Sequence, residues 1–295
     1  MPKPILEGIL VPGVTPFTRA GRVDLKALRT CTSFWLEGGV SGLVPNGSNG
    51  EAPYLSRQER ISVIKTVVDE VNGKVPVVAG TGTASTEETI LFTKDAADVG
   101  ADAALIVTPF YYKLTNLELS EHYKCVSEAV DLPIVIYNVP KFTDVSIEPA
   151  LVNKLAAENR GIIGVKDSSG NLGAITEIIR LVGSRLSVLA GSADMVLPTL
   201  QAGGKGAVVA VANIFPDLCS RLYKTLKKGD YEDAMRLQNR VSYANEVLVK
   251  RYNQLSAIKE AMRFKGLPAG YPRRPSLPLV GAEKEGLLSS LKEMG

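Results

Sequence analysis

Histidine is almost missing from this chain: His122 is the single one in 295 residues. Cysteine is scarce as well, with Cys31, Cys125 and Cys219 far apart. A metal site normally draws on several His, Cys or carboxylate ligands. No such cluster can be read here, so no metal is expected. An odd, scattered set of cysteines points to reduced thiols and away from a disulfide framework. Each of the three falls in a helical pattern and reads as a small helix residue. His122, in "ELSEHYK", lies in a helical pattern with no second ligand beside it, and is not expected to act in catalysis.

An excess of one charge is lacking too. The 34 basic and 31 acidic residues leave a formal net charge of +3. So even a balance argues against a nucleic-acid or membrane-surface footprint, and the short basic clusters "KTLKKGD" and "YPRRP" read as solvated surface. No apolar run approaches the ~18 residues of a membrane span. The N-terminal stretch "MPKPILEGILVPGVTPF" carries prolines and Glu7 where a secretory signal needs an unbroken apolar core, so a cytoplasmic location is expected. No low-complexity linker divides the chain.

What is present is an ordinary globular composition, 45% hydrophobic and 22% charged. Apolar runs recur at 10–17, 42–48, 75–82, 103–110, 133–140, 162–169, 187–192 and 206–213. Each is short, rich in β-branched residues and closed by Gly, Pro, Ser, Thr or Asn. They are mostly continuous, as parallel strands covered on both faces should be. Helical patterns lie between them. One begins at an N-cap Asp24 and stops at a glycine pair. Another begins at Ser56 with Glu59 at the capping-box position, and a third begins at Ser85. Eight strand–helix units fit a (β/α)8 TIM barrel over residues 1–228. A doubly wound sheet is the alternative, but its glycine fingerprint does not follow the first run. Beyond 228 the patterns are helical only, so 229–295 is expected to form a C-terminal helical extension packed on the barrel.

Active sites of such barrels lie at the C-terminal ends of the strands. The ring expected there holds Thr15, Ser48 and Asn49, Thr108 and Tyr111, Tyr137 and Asn138, Lys166 and Asp167, Gly191 and Ser192, and Asn213. It is rich in hydroxyls and contains one lysine. A lysine in the apolar run "GIIGVKDSSG" is anomalous unless it works. Desolvated, it loses affinity for its proton, and the neutral amine forms Schiff bases with carbonyl substrates. A lysine that snorkels outward or pairs with Asp167 is the plainer alternative. Tyr137, one unit earlier, belongs at the same mouth and can shuttle protons. "GSNGE" brackets Ser48 and Asn49 with glycines, a backbone suited to cradling a small carboxylate. By itself it also reads as a plain turn.

"GSNGE", "TPFYYK", "YNVP", "GVKDSSG" and "LAGSAD", in this order and spacing, resemble the N-acetylneuraminate lyase / dihydrodipicolinate synthase family of Schiff-base lyases over nearly the whole chain. The resemblance implies a (β/α)8 barrel, a homotetramer, and pyruvate or another 2-oxo acid bound to lysine without a cofactor. It implies Lys166 as the Schiff-base lysine, Tyr137 as the proton-transferring tyrosine, and the backbone at Ser48 and Asn49 as the carboxylate site. It implies Tyr111 as the tyrosine that reaches into a neighbouring subunit to complete a hydroxyl relay with Ser48 and Tyr137. Gly191 and Val208 match positions lining the pyruvate pocket. Synthases that add aspartate semialdehyde carry an arginine where this chain has Phe142, with Lys141 expected to point elsewhere. They also tend to have two threonines at Ser48 and Asn49. "GSNGE" with "PYLS" is similar to the 4-hydroxy-2-oxoglutarate aldolases. The stretch from 256 to 279 is similar to 2-keto-3-deoxygluconate-type aldolases. The expectation is a pyruvate-linked aldolase acting on such a hydroxylated 2-oxo acid and its aldehyde partner. The alternatives are a dihydrodipicolinate synthase and, from another class, a non-catalytic 2-oxo acid sensor.

Overall fold

The structure is a computed structural model and describes residues 4–294. Eight strands form one parallel sheet: β1 Gly8–Val11, β2 Gly42–Leu43, β3 Val78–Gly80, β4 Ala103–Val107, β5 Ile134–Asn138, β6 Ile162–Asp167, β7 Ser187–Ala190 and β8 Gly206–Val208. The hydrogen-bonded order β2-β1-β8-β7-β6-β5-β4-β3 runs almost full circle, and a parallel bridge between Leu43 and Val77 joins its two ends. The chain is a (β/α)8 barrel, with an α-helix packed outside each parallel step.

Local sequence explains where the helices start. Asp24 caps Leu25–Glu37 by accepting the Ala27 N–H at 2.9 Å. Ser56 and Glu59 form a reciprocal capping box at the head of Arg57–Val71. Ser85 caps Thr86–Asp98. The strands are shorter than the apolar runs that announce them. Pro12 has no N–H for the ladder, so β1 stops at Val11, and Thr15 lies in the loop beyond it. Asn213 likewise stands past β8, in the turn Ala210–Asn213. There it accepts the Val14 N–H and donates to the Pro12 carbonyl. Asn213 therefore stitches the β1 and β8 loops together, whereas Thr15 donates to the Gly50 carbonyl in the loop after β2.

Inward-facing residues fill the barrel as a small cluster that includes Leu10, Val44, Leu105, Val135, Ile163, Leu189 and Val208. A larger cluster lies between strands and outer helices. It joins Ile9 and Val11 of β1 to Leu237, Val241, Ile258 and Leu287 of the helices Tyr231–Asn245, Gln254–Phe264 and Gly281–Glu293. The C-terminal helices thus share apolar core with the barrel. Among the described residues no helix is long and apolar enough to cross a membrane.

Arg273, in the connection after Gln254–Phe264, ties that region to the barrel. Its guanidinium forks onto both carboxylate oxygens of Glu59, donates to the carbonyls of Gly21 and Tyr54, and lies 4.2 Å from the Phe17 ring centroid. Hydrogen bonding to Arg273 holds the Glu59 carboxyl down to about 2. A carboxyl depressed in this way stabilises the fold fully above its ordinary value, and the contribution disappears as pH falls toward 2. Glu59→Gln preserves the capping geometry and removes the charge. It is expected to cost about 1 kcal/mol near neutral pH, after allowance for solvent screening, or roughly 2–3 °C in Tm. In thermal melts the gap between wild type and variant should close as the solution is acidified. A gap that stays constant into acid would contradict this role.

Candidate active site

Parallel pairing of β5 with β6 sets Tyr137 beside Lys166 and Asn138 beside Asp167. Lys166 is 4% exposed and Tyr137 5%. The lysine does not snorkel out, and its Nζ lies 3.8 Å from the centroid of the Tyr137 ring. It does not pair with Asp167 either. That carboxylate accepts the Asn138 amide at 2.7 Å through one oxygen and the Ser169 N–H at 2.9 Å through the other. Asn138 in turn accepts the Ile147 N–H, so the Asn138–Asp167 couple braces the loop after β5. The two plainer readings of Lys166 therefore fail on geometry.

Burial alone would raise the Tyr137 phenol. The positive Lys166 and hydrogen bonds from Ser48 and Lys166 to the phenol oxygen outweigh it, and the net shift is downward. A tyrosine whose proton is loosened next to an amine suits proton transfer. Ser48, Tyr137 and Lys166, picked out separately in the sequence, are thus brought together.

The turn Gly47–Glu51 follows β2. Inside it, Gly50 N–H donates to Gly47 O and Glu51 N–H to Ser48 O. Among the described residues the N–H groups of Ser48 and Asn49 donate to no protein acceptor, so two adjacent amides are left available at the mouth. The backbone strain falls differently from expectation. Left-handed φ angles occur at Asn46 (55°) and Glu51 (56°), which flank the glycines. Close approach is instead what demands glycine at Gly80, where a Cβ would strike the Asn46 carbonyl. The same holds at Gly191, where it would strike Ser168. Asn49 is buried, and its side-chain oxygen accepts from Gln254.

Val208 is buried in the barrel interior in the same apolar cluster as Tyr137 and Leu189. Phe142 is half exposed on a short helix, Pro140–Thr143, at the rim of a cleft of about 530 Å³. Lys141 does not turn away as its sequence position suggested. Both side chains line this cleft, with the ammonium 5.4 Å from the Phe142 ring centroid. Tyr111 is not brought to Lys166 within this chain. It is 87% exposed, sits at a left-handed φ of 85° and stacks edge-on against Tyr112. His122 stands on Asn116–Ala129 against Thr86, outside the cleft lining. Burial pushes its imidazole down to about 4.

Sequence reasoning missed the far wall of the cleft. Lys250, Asn253 and Gln254 come from the C-terminal segment, at the end of a π-helical turn, Glu246–Lys250. Such widened turns recur at functional sites, but no local pattern announces this one. Arg60 was missed as well. It is buried in the cleft wall, donates to the Ala52 carbonyl and packs on Phe92, and burial lowers it to about 10.

Comparison with known proteins places the chain in a family. The model of the dihydrodipicolinate synthetase family matches residues 5–294. The 4-hydroxy-tetrahydrodipicolinate synthase of Methanosarcina acetivorans is 38% identical over 293 residues, covering 99% of both chains. That of Thermodesulfovibrio yellowstonii is 38% identical over 291 residues, again covering 99% of both. Among solved structures, YagE, an Escherichia coli K12 prophage protein of the dihydrodipicolinic acid synthase family crystallised with pyruvate, superposes with a TM-score of 0.95. It is 30% identical, over 98% of this chain and 99% of that one. The chain belongs to the dihydrodipicolinate synthetase family and is an enzyme of its class I, aldolase-type lyase kind.

Proposed function

We propose that the enzyme binds pyruvate as an imine on Lys166 and joins it to L-aspartate 4-semialdehyde, as a 4-hydroxy-tetrahydrodipicolinate synthase does. The observation that carries the imine is the buried lysine packed on Tyr137 with Asp167 engaged elsewhere. The pyruvate carboxylate sits on the Ser48 and Asn49 amides, above Val208 and Gly191. Lys166 attacks the ketone carbon. The resulting hydroxyl leaves as water with a proton from Tyr137, and Ser48 resupplies that proton. Tyr137, discharged again through Ser48, takes a methyl proton from the imine to give an enamine; the enamine carbon attacks the aldehyde, and the phenol returns that proton to the new alkoxide. Tyr111, exposed here, completes the relay from a neighbouring subunit of a homotetramer.

The choice of aldehyde rests on the relatives, which carry the synthase name at 38% identity along the whole chain. It displaces the hydroxylated 2-oxo acids that "GSNGE" and the C-terminal tail put first. Arg60, Lys141 and Lys250 are the cations lining the cleft; Lys250 is paired with Asp194 and Arg60 is buried in the wall, which leaves Lys141 at the rim for the aldehyde's carboxylate. One observation favours a second reading, aldol cleavage of 4-hydroxy-2-oxoglutarate or 2-keto-3-deoxygluconate. Phe142 occupies the synthase arginine position and cannot grip a carboxylate with a bidentate pair.

The test compares kcat/KM for condensation of pyruvate with aspartate semialdehyde against pyruvate release from the two hydroxylated acids. Condensation should be the fastest. Cleavage without condensation would establish the second reading. If Lys141 reads the aldehyde, Lys141→Met should raise the KM for semialdehyde about tenfold and leave that for pyruvate alone. Phe142→Arg should improve semialdehyde kcat/KM by about 10–100-fold if its position faces that carboxylate. Tyr137→Phe should lower kcat by about 10²–10⁴ in either reading.

A further inference from the structure

Glu51 closes the turn that presents the Ser48 and Asn49 amides, and its left-handed φ of 56° is uncommon for a residue with a side chain. Something must hold it there. Its carboxylate is buried to 1% exposure against Lys259, also 1% exposed, which arrives from Gln254–Phe264 some 208 positions later. The Lys259 ammonium uses all three N–H groups: on Glu51 Oε1, on the Thr15 carbonyl at 2.7 Å and on the Tyr271 carbonyl at 2.9 Å. It also lies 4.3 Å from the Phe17 ring centroid. The other Glu51 oxygen accepts the Arg273 backbone N–H at 2.8 Å. Burial pushes the Lys259 amine down to about 8, against the opposing pull of Glu51. Two further contacts converge on the same turn. Thr15 Oγ1 donates to the Gly50 carbonyl at 2.7 Å, and Gln254 donates to the Asn49 side chain.

We infer that Lys259 and Glu51 are positioning residues for the 2-oxo acid. Through this buried pair the C-terminal segment reaches back to the barrel mouth and holds the Ser48–Asn49 amides where a carboxylate can dock. The inference rests on the reading that those amides receive the pyruvate carboxylate. Neither residue supplies a reacting group, so their loss should weaken pyruvate saturation and spare the chemistry at Lys166. A pair that served stability alone would move the melting temperature and leave saturation unchanged. Removing one partner leaves the other as an uncompensated buried charge, so the turn should relax whichever side is cut.

The experiment measures the pyruvate dependence of borohydride trapping on Lys166 in wild type, Lys259→Met, Glu51→Gln and the double variant. Glu260→Gln is the control. It lies on the same helix but pairs with Arg263 and Lys284, away from the turn. Half-saturating pyruvate should rise about tenfold in both single variants with little change in the maximal trapping rate. The double variant should be no worse than the poorer single, because the pair acts as a unit. Glu260→Gln should match wild type. Wild type that traps while the folded variants saturate normally overturns the positioning role alone, as does an equal shift in Glu260→Gln. Wild type that never traps overturns the imine reading and this inference with it. If Lys259→Met does not fold, the near-isosteric Glu51→Gln decides. Failure of both to fold would make the pair a folding device and overturn the inference.

Discussion

Pairing of β5 with β6 in parallel register puts a tyrosine face against a lysine head at the mouth of the barrel. Parallel strands point equivalent residues the same way, so Tyr137 and Lys166 project together. The barrel interior beneath them is packed with aliphatic side chains, and the lysine itself is 4% exposed. A buried ammonium that lacks a carboxylate partner is costly. The neighbouring Asp167 is nonetheless turned to Asn138 and Ser169. The phenol that replaces a carboxylate here, loosened by Lys166 and Ser48, can both partner the amine and pass protons.

The rest of the mouth is arranged around that couple by parts of the chain far from it in sequence. Asn46, at the entry to the turn Gly47–Glu51, approaches β3 so closely that Gly80 admits no side chain. The same turn is bound through Glu51 and Asn49 to the helix Gln254–Phe264. Arg273 adds a second tie, from the same C-terminal region to Glu59 at the head of Arg57–Val71. The C-terminal helices thus contribute apolar core, cleft wall and polar anchorage together. They belong to the site as much as the strand ends do.

Much of this was legible in order along the chain, because it is local. Apolar runs closed by Gly, Pro, Ser, Thr or Asn mark all eight strands, and Asp24, Ser56 and Ser85 mark helix starts through contacts three residues away. Lys166 declared itself as a charge in an apolar run. What was not legible depends on contacts between distant segments. The partnership of Lys259 with Glu51 spans most of the chain, although a lysine on the apolar face of "SAIKEAMRF" is a signal of the same kind as Lys166. The aim of Lys141 depended on the short helix Pro140–Thr143, whose direction no periodicity in four residues can fix. Tyr111 faces solvent in a single chain, so the relay proposed for it needs a second copy.

The central claim is that the amine of Lys166 captures the ketone of pyruvate covalently. Incubating the protein with pyruvate and borohydride, then mapping its peptides by mass spectrometry, addresses it directly. The account predicts one reduced pyruvyl group, on the peptide carrying Lys166, and none in Lys166→Ala. An unmodified Lys166 peptide, or an adduct spread over surface lysines and unchanged in the variant, would contradict it.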